Sequence, residues 1–294
     1  MSEELRKIAK DLLKSEKVGV VIGYAFTKAD PKRTTPIFVT DTRDTDKLVF
    51  NPLCLNNLTV YLTKKKPEIQ EVGRPAIVAK GCDVRSILGL IKEFQFKRED
   101  VVIIGVGCEG VVKDFSHWTG KLTRENMASK CLYCRVRVPT TYDYLVGEEV
   151  PSIEEQDPFK DVKELLSKSV EEREKFWKNQ FEKCIRCYAC RQVCPFCYCD
   201  RCISDKTMPR WIESSAHERG NFAWNIIRAM HLAGRCVGCG ECSRVCPAEI
   251  PLDLLNREIE REMKEKFEYT AGMDTETPPP LRTYSEKDDD SWIG

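Results

Sequence analysis

The sequence is poor in histidine, has no excess of either charge and lacks long apolar runs. Its three histidines, His117, His217 and His231, are scattered. Neither a Ser-His-Asp arrangement nor a paired-carboxylate site can be argued from the sequence. His231, close to a cysteine loop, reads as a packed or hydrogen-bonding residue rather than a ligand. Lys plus Arg total 47 and Asp plus Glu total 47. That balance, with no basic stripe, argues against a nucleic-acid partner. No stretch reaches the roughly 18 apolar residues of a membrane helix, so no direct membrane insertion is expected. The charged opening Met1-Ser2-Glu3-Glu4-Leu5-Arg6 has neither a signal core nor a transit-peptide bias, and a cytoplasmic location is the expectation.

Against these absences stand sixteen cysteines in 294 residues. A secreted disulfide scaffold would be shorter and would carry a signal peptide. In a reducing compartment, clustered thiols are more often metal ligands, and their spacing decides what they hold.

Apolar spacing predicts an amphipathic helix over residues 2–15 and short strands over 18–25, 36–40, 47–50 and 58–62. A strand over 76–80 runs into Gly81-Cys82-Asp83, with Asp83 as helix N-cap. A helix over 84–94 and a buried strand over 101–106 complete a βαβ unit with a parallel sheet. Ligands of open α/β sheets lie at the carboxyl ends of the strands. Cys82 and Cys108 both follow strand ends and are expected to face one another there. The acidic, proline-containing stretch 147–160 reads as a boundary. Beyond it, helices are expected over 162–181, around Trp211, over 222–232 and over 254–267. The expected organisation is an α/β domain over 1–150, a linker and helix over 151–182, a mainly helical domain over 183–268 and a tail over 269–294. The tail reads as disordered, or as an arm that orders on a partner through Trp292-Ile293.

The decisive motif occurs twice. The first run is Cys184-Ile-Arg-Cys187-Tyr-Ala-Cys190-Arg-Gln-Val-Cys194-Pro195. The second is Cys236-Val-Gly-Cys239-Gly-Glu-Cys242-Ser-Arg-Val-Cys246-Pro247. Three thiolates at this spacing on a tight loop each reach a different iron, and the fourth ligand comes from the other run. Cluster A is therefore expected on Cys184, Cys187, Cys190 and Cys246, and cluster B on Cys194, Cys236, Cys239 and Cys242. Zinc is the alternative metal, but a zinc site needs only four ligands and no reciprocal pair of runs. Arg186, Arg191, Arg235 and Arg244 flank the loops, where they would offset cluster charge or dock an acidic partner. The long spacer and the segment from Arg228 to Cys236 resemble the helical ferredoxin modules of succinate dehydrogenase iron–sulfur subunits and heterodisulfide reductase C subunits.

Cys82, Cys108, Cys131 and Cys134 form a second constellation. By residue type alone they could close a 4Fe-4S cluster or a zinc site, or remain buried free thiols. Lys80-Gly81-Cys82-Asp83, Ile104-Gly105-Val106-Gly107-Cys108, Cys131-Leu-Tyr-Cys134 and Tyr142-Asp-Tyr-Leu-Val-Gly147 occur in order. Together they resemble the core of the coenzyme F420 hydrogenase/dehydrogenase β subunits, a family that includes formate dehydrogenase β-type subunits. The resemblance implies a third 4Fe-4S cluster, cluster C, on those four cysteines, and flavin among the family's cofactors. In that family the ferredoxin run precedes the core, whereas here both runs follow a short one. Gly105-Val-Gly107-Cys-Glu-Gly110 matches a dinucleotide fingerprint, but Val111-Val112-Lys113-Asp114 makes a poor helix start for pyrophosphate.

Cys197, Cys199 and Cys202, with Cys54, are left over. They are expected to be either packing and shell thiols or a further metal site. The function expected from these residues is electron transfer. The chain would be an iron–sulfur subunit of an anaerobic cytoplasmic oxidoreductase complex, relaying single electrons between a flavin- or hydride-handling partner and another redox subunit. The alternatives are an FAD-bearing catalytic subunit acting on a deazaflavin or nicotinamide, and a zinc-rich binding module.

Overall fold

The computed structural model describes residues 1–147, 150–151 and 157–284. Part of the acidic boundary, and the end of the chain with Asp288-Asp289-Asp290 and Trp292-Ile293, lie outside the described residues.

Helix α1 (Ser2–Lys14) buries Leu5, Ala9 and Leu12 on one face. It leads into a five-stranded sheet ordered β2-β1-β3-β4-β5. The strands are β1 (Val20–Phe26), β2 (Thr34–Val39), β3 (Pro75–Ala79), β4 (Val102–Val106) and β5 (Tyr144–Val146). Within this sheet β1 pairs with β2 antiparallel, and the β1/β3, β3/β4 and β4/β5 pairings are parallel. Every residue of β3 and β4 is buried, so the centre of the sheet is covered on both faces. A short helix α2 (Pro67–Glu71) precedes β3, and α3 (Gly81–Lys92) crosses from β3 to β4. This is the expected βαβ unit in a mostly parallel sheet.

The residue-level expectations fail where side chains compete for the backbone. Residues 47–50 and 58–62 are not strands. Asp41 accepts from the Arg43 N–H and Asn57 from the Thr59 N–H, winding 3-10 turns at Thr42–Lys47 and Leu58–Leu62. Only Val49 retains a bridge, to Tyr24. Asp83 is not the cap of α3 but its third residue. Its carboxylate reaches back 3.0 Å to the Lys80 N–H, so the helix begins at Gly81.

The C-terminal part is helical, with α4 (Ser129–Leu132) as a single turn on its approach. The helix expected over 162–181 is two helices, α5 (Lys160–Leu166) and α6 (Val170–Glu182). The break falls at Ser169, whose hydroxyl and Glu172 form a capping box. Among the described residues no helix forms around Trp211. Then come α7 (Ala189–Gln192), α8 (Glu218–His231), α9 (Glu241–Arg244) and α10 (Leu252–Phe267). Phe181, Trp224, Ile250 and Leu252 pack around the first cysteine run.

A further apolar cluster joins the two parts: Leu90 of α3 packs with Phe196, Leu232, Val237, Met263, Tyr269 and Ala271. The stretch after α10 therefore packs back onto α3. The Arg85 guanidinium donates to the Ala271 carbonyl (3.0 and 2.8 Å) and to the Val237 carbonyl (3.0 Å). Among the described residues no helix is long and apolar enough to cross a membrane.

Candidate metal centres

The two cysteine runs fold into the same loop. In the first run, Arg186 (φ 57°) and Tyr188 (φ 60°) are left-handed; in the second, Gly238 (φ 66°) and Gly240 (φ 67°) occupy the equivalent third and fifth places. Each loop then enters one helical turn, α7 or α9, which pack against each other. Glycine adopts this shape freely, whereas Arg and Tyr are strained by about 1–2 kcal/mol each. The first loop holds its strained residues by their side chains. The buried Arg186 guanidinium donates to the Gly220 carbonyl (3.0 Å) and lies 5.1 Å over the Trp224 ring. Tyr188 packs edge-on against Trp224 and donates to Asp205 (3.0 Å).

The loops exchange their fourth cysteines. One cavity is lined by Cys184, Cys187, Cys190 and Cys246. Another is lined by Cys194, Cys236, Cys239 and Cys242. Each set takes three thiols from one run and one from the other. Cys187 is exposed, so the first cavity reaches the surface.

Cys82, Cys108, Cys131 and Cys134 line one larger cavity of about 310 Å³. Cys82 is the second residue of α3, and Cys108 follows β4 with its N–H held by the Arg137 carbonyl (2.9 Å). Cys131 lies in α4, where its sulfur accepts from the Val111 N–H (3.4 Å). Gly81 brings the segment carrying the last two thiols against α3: a Cβ there would stand 1.9 Å from the Val136 carbonyl oxygen. The glycine-rich segment after β4 starts no helix, so it offers no helix terminus to pyrophosphate.

Among the described residues, no three His, Cys, Asp or Glu side chains converge as the ligands of a single metal ion do. The thiols surround cavities instead, which suits a multi-iron cluster with each thiolate on its own iron. Burial pushes the Cys108 and Cys242 thiols up to about 12 and Cys236 higher still. Such thiols ionise only if a metal takes the charge, so the donor sets fit a bound iron–sulfur cluster.

Two cations missed in the sequence, the mostly covered Lys130 and the buried Arg228, link these sites. Lys130 lines the large cavity and donates to the Cys239 carbonyl (2.6 Å). Burial opposes its charge, but Glu241 and the thiols of Cys82, Cys131 and Cys239 hold its pKa above the ordinary value. Arg228 donates to the Cys190 carbonyl (3.1 Å) and lines the Cys194 cavity. Three of the flanking arginines have carboxylate partners: Arg191 pairs with Asp205, Arg244 with Glu241, and Arg235 with Glu93 of the α/β part.

Of the leftover cysteines, Cys54, Cys197 and Cys202 are spread over different apolar clusters of the fold. Cys54 is fully buried in the sheet core, where its thiol donates weakly to the Val49 carbonyl (3.8 Å). The Cys197 N–H donates to the Cys194 carbonyl (3.2 Å), Cys199 is exposed and Cys202 packs near the first run. His117, His217 and His231 are all exposed.

Residues 180–250 match the family model described as a 4Fe-4S dicluster domain. The chain carries a 4Fe-4S dicluster domain. A relative from Methanocaldococcus jannaschii, F420-dependent formate dehydrogenase subunit beta, is 31% identical over 153 residues, 52% of this chain and 39% of the relative. F420-dependent formate dehydrogenase 1 subunit beta from Methanococcus maripaludis is 24% identical over 351 aligned positions, 90% of this chain and 89% of the relative. The resemblance read from the N-terminal cysteines thus holds, because the chain is homologous to these β subunits. The dicluster domain makes it an iron–sulfur protein, and over the aligned residues it is similar to these β subunits.

Proposed function

We propose that the chain is the relay subunit of an anaerobic, cytoplasmic oxidoreductase complex, carrying three 4Fe-4S clusters in the order C, B, A. Cluster C belongs to Cys82, Cys108, Cys131 and Cys134. Cluster B belongs to Cys194, Cys236, Cys239 and Cys242, and cluster A to Cys184, Cys187, Cys190 and Cys246. The observation that carries this reading is the reciprocal lining of the two small cavities, three thiols from one run and the fourth from the other. The order rests on the shared cations: Lys130 touches the surroundings of C and B, and Arg228 those of B and A. The clusters, when bound, supply one-electron redox chemistry. The residues around them exclude water, hold the thiolates and offset negative charge.

The relatives are named as subunits of formate dehydrogenases, and by analogy the chain serves a hydride- or flavin-handling partner at the cluster C end. Exposed Cys187 marks the A end as the contact for a second redox subunit. The alternative, a catalytic subunit carrying its own FAD, is disfavoured by volume. The cavity of about 310 Å³ sits at the bottom of the roughly 300–1,000 Å³ range of small-molecule sites, and four thiols already claim it.

Iron and acid-labile sulfide on anaerobically purified protein test the reading. We expect about twelve of each per chain and no stoichiometric flavin. Zinc in their place, or one flavin per chain, would sink it. Gly81→Ala tests cluster C separately. The clash with Val136 should cost about 1–3 kcal/mol and lower iron to about eight per chain, leaving the dicluster signals in place. Unchanged iron content would remove the four N-terminal thiols from the proposal.

A further inference from the structure

Arg228 has no counterpart in either cysteine run, yet it stands between them. It lies in the last turn of α8 and is 6% exposed. One terminal nitrogen donates to the carbonyl of Cys190 in the first-run loop at 3.1 Å. The same residue lines the cavity ringed by Cys194, Cys236, Cys239 and Cys242. Its Nε is buried without a hydrogen-bond partner.

An orphaned N–H on a permanently charged, buried group is costly unless an acceptor of negative charge sits beside it. Burial opposes this charge, and the groups that act to hold it are the thiols of Cys194, Cys197, Cys242 and Cys190. Cys194 and Cys242 belong to one site and Cys190 to the other; Cys197 lies outside both sets. What sets this guanidinium apart is its place: a terminal nitrogen on the carbonyl of one site's ligand, and the residue in the lining of the other site.

We infer that Arg228 is a shared tuning residue, which donates its Nε–H into the Cys194 site and raises the reduction potentials of clusters A and B together. The inference rests on the reading that both sites hold 4Fe-4S clusters. Accepting one electron makes either site one charge more negative. Arg228 stabilises that state with no proton uptake, because a guanidinium stays charged throughout. A single cation common to both sites shifts them in parallel. It thereby lifts both without changing the difference between them.

The test uses the full chain, loaded anaerobically, with Arg228→Gln and Arg228→Lys. Iron and sulfide are counted, and both potentials are read by EPR-monitored redox titration. In the Gln variant, both clusters should become harder to reduce. At a fixed potential, the reduced-to-oxidised ratio of each should fall about tenfold, equivalent to about 59 mV for a one-electron couple. The Lys variant keeps the charge but loses the fork, so both should shift the same way by less. A shift confined to one cluster, or none, at full iron content would overturn the inference. So would iron loss in both variants, which would make Arg228 a scaffold for the loops. If the Gln variant alone loads poorly, the two potentials of the Lys variant decide. Zinc or fewer than about eight irons in the unmodified chain would sink the cluster reading itself, and that is read before either variant is made.

Discussion

Cys246→Ala should remove the cluster of the first run and leave that of its own run in place. Three thiols of the Cys184 loop share a cavity with Cys246, and three of the Cys236 loop share one with Cys194. If these are the ligand sets, Cys246→Ala strips about four irons per chain from the site of Cys184, Cys187 and Cys190. Pairwise substitution then gives a sharp result. Cys246→Ala combined with Cys184→Ala should lose no more iron than either alone, because both act on one cluster. Cys246→Ala combined with Cys236→Ala should lose about eight, because the sites are independent. The opposite pattern would mean that each run holds its own cluster. Cys194→Ala is best made with Cys197→Ala, because Cys197 lies one turn on, its N–H on the Cys194 carbonyl (3.2 Å), and offers a substitute thiol. Iron analysis and the spectrum of the reduced protein read every arm.

The ligand runs were legible because cluster chemistry fixes their spacing: a thiolate every third residue on a tight loop has few other uses. The equivalence of the two loops was legible only in part. Gly238 and Gly240 advertise left-handed backbone, but Arg186 and Tyr188 give no such signal. Their strain is compensated by Trp224, Gly220 and Asp205, all distant in sequence. Lys130 and Arg228 escaped for a related reason. A charged residue on a helix ordinarily reads as solvated, and only the packing of α8 against both runs, or of α4 against the second, puts these cations beside thiols. Arg228 does leave one trace, since α8 carries it on a face with Trp224 and Asn225, which are also buried.

The βαβ unit was legible from apolar runs with Gly-Cys ends, and its two cysteines do line one cavity. The failed strands at 47–50 and 58–62 show what periodicity omits. Asn57 captures the Thr59 N–H and winds 58–62 into a 3-10 turn, whereas the turn after Asp41 takes only Lys47 of 47–50 and leaves Val49 a single bridge. The division between α/β and helical parts was also legible, but their junction was not. It is made by Arg85 and Arg235, which reach carbonyls and carboxylates on the opposite part. Arg85, beside Cys82 and Val84, carried no mark in the sequence of reaching Ala271.

Asp83→Ala should be the most destabilising single change in the α/β part, at about 3–5 kcal/mol, read from urea or guanidinium unfolding of protein with its clusters removed. Lys80 and Asp83 form an ion pair of 2.9 Å with side-chain exposures of 3% and 0%. Lys80 also donates to the Tyr24 hydroxyl and to the Asn56 carbonyl (2.8 Å). Asp83 accepts from the Lys80 N–H, closing the first turn of α3. Removing the carboxylate strands a buried ammonium and unties the helix start that positions Cys82. A shape-matched apolar pair, Lys80→Met with Asp83→Leu, should lose much less than Asp83→Ala, because no charge is left unpaired. Equal losses would mean that the helix-capping bond, and not the stranded charge, dominates.

The pair also fixes a pH signature. Burial opposes the Lys80 charge, but Asp83 and Tyr24 hold its folded pKa well above the ordinary value. A raised folded pKa contributes stability that is fully present below the unfolded value of about 10.4 and lost only as pH rises through the folded one. The difference in stability between the native chain and the Met/Leu pair should therefore stay flat from about pH 6 to 9. A slope across that range would mean that Lys80 titrates there, and the ion pair would not be what anchors Cys82.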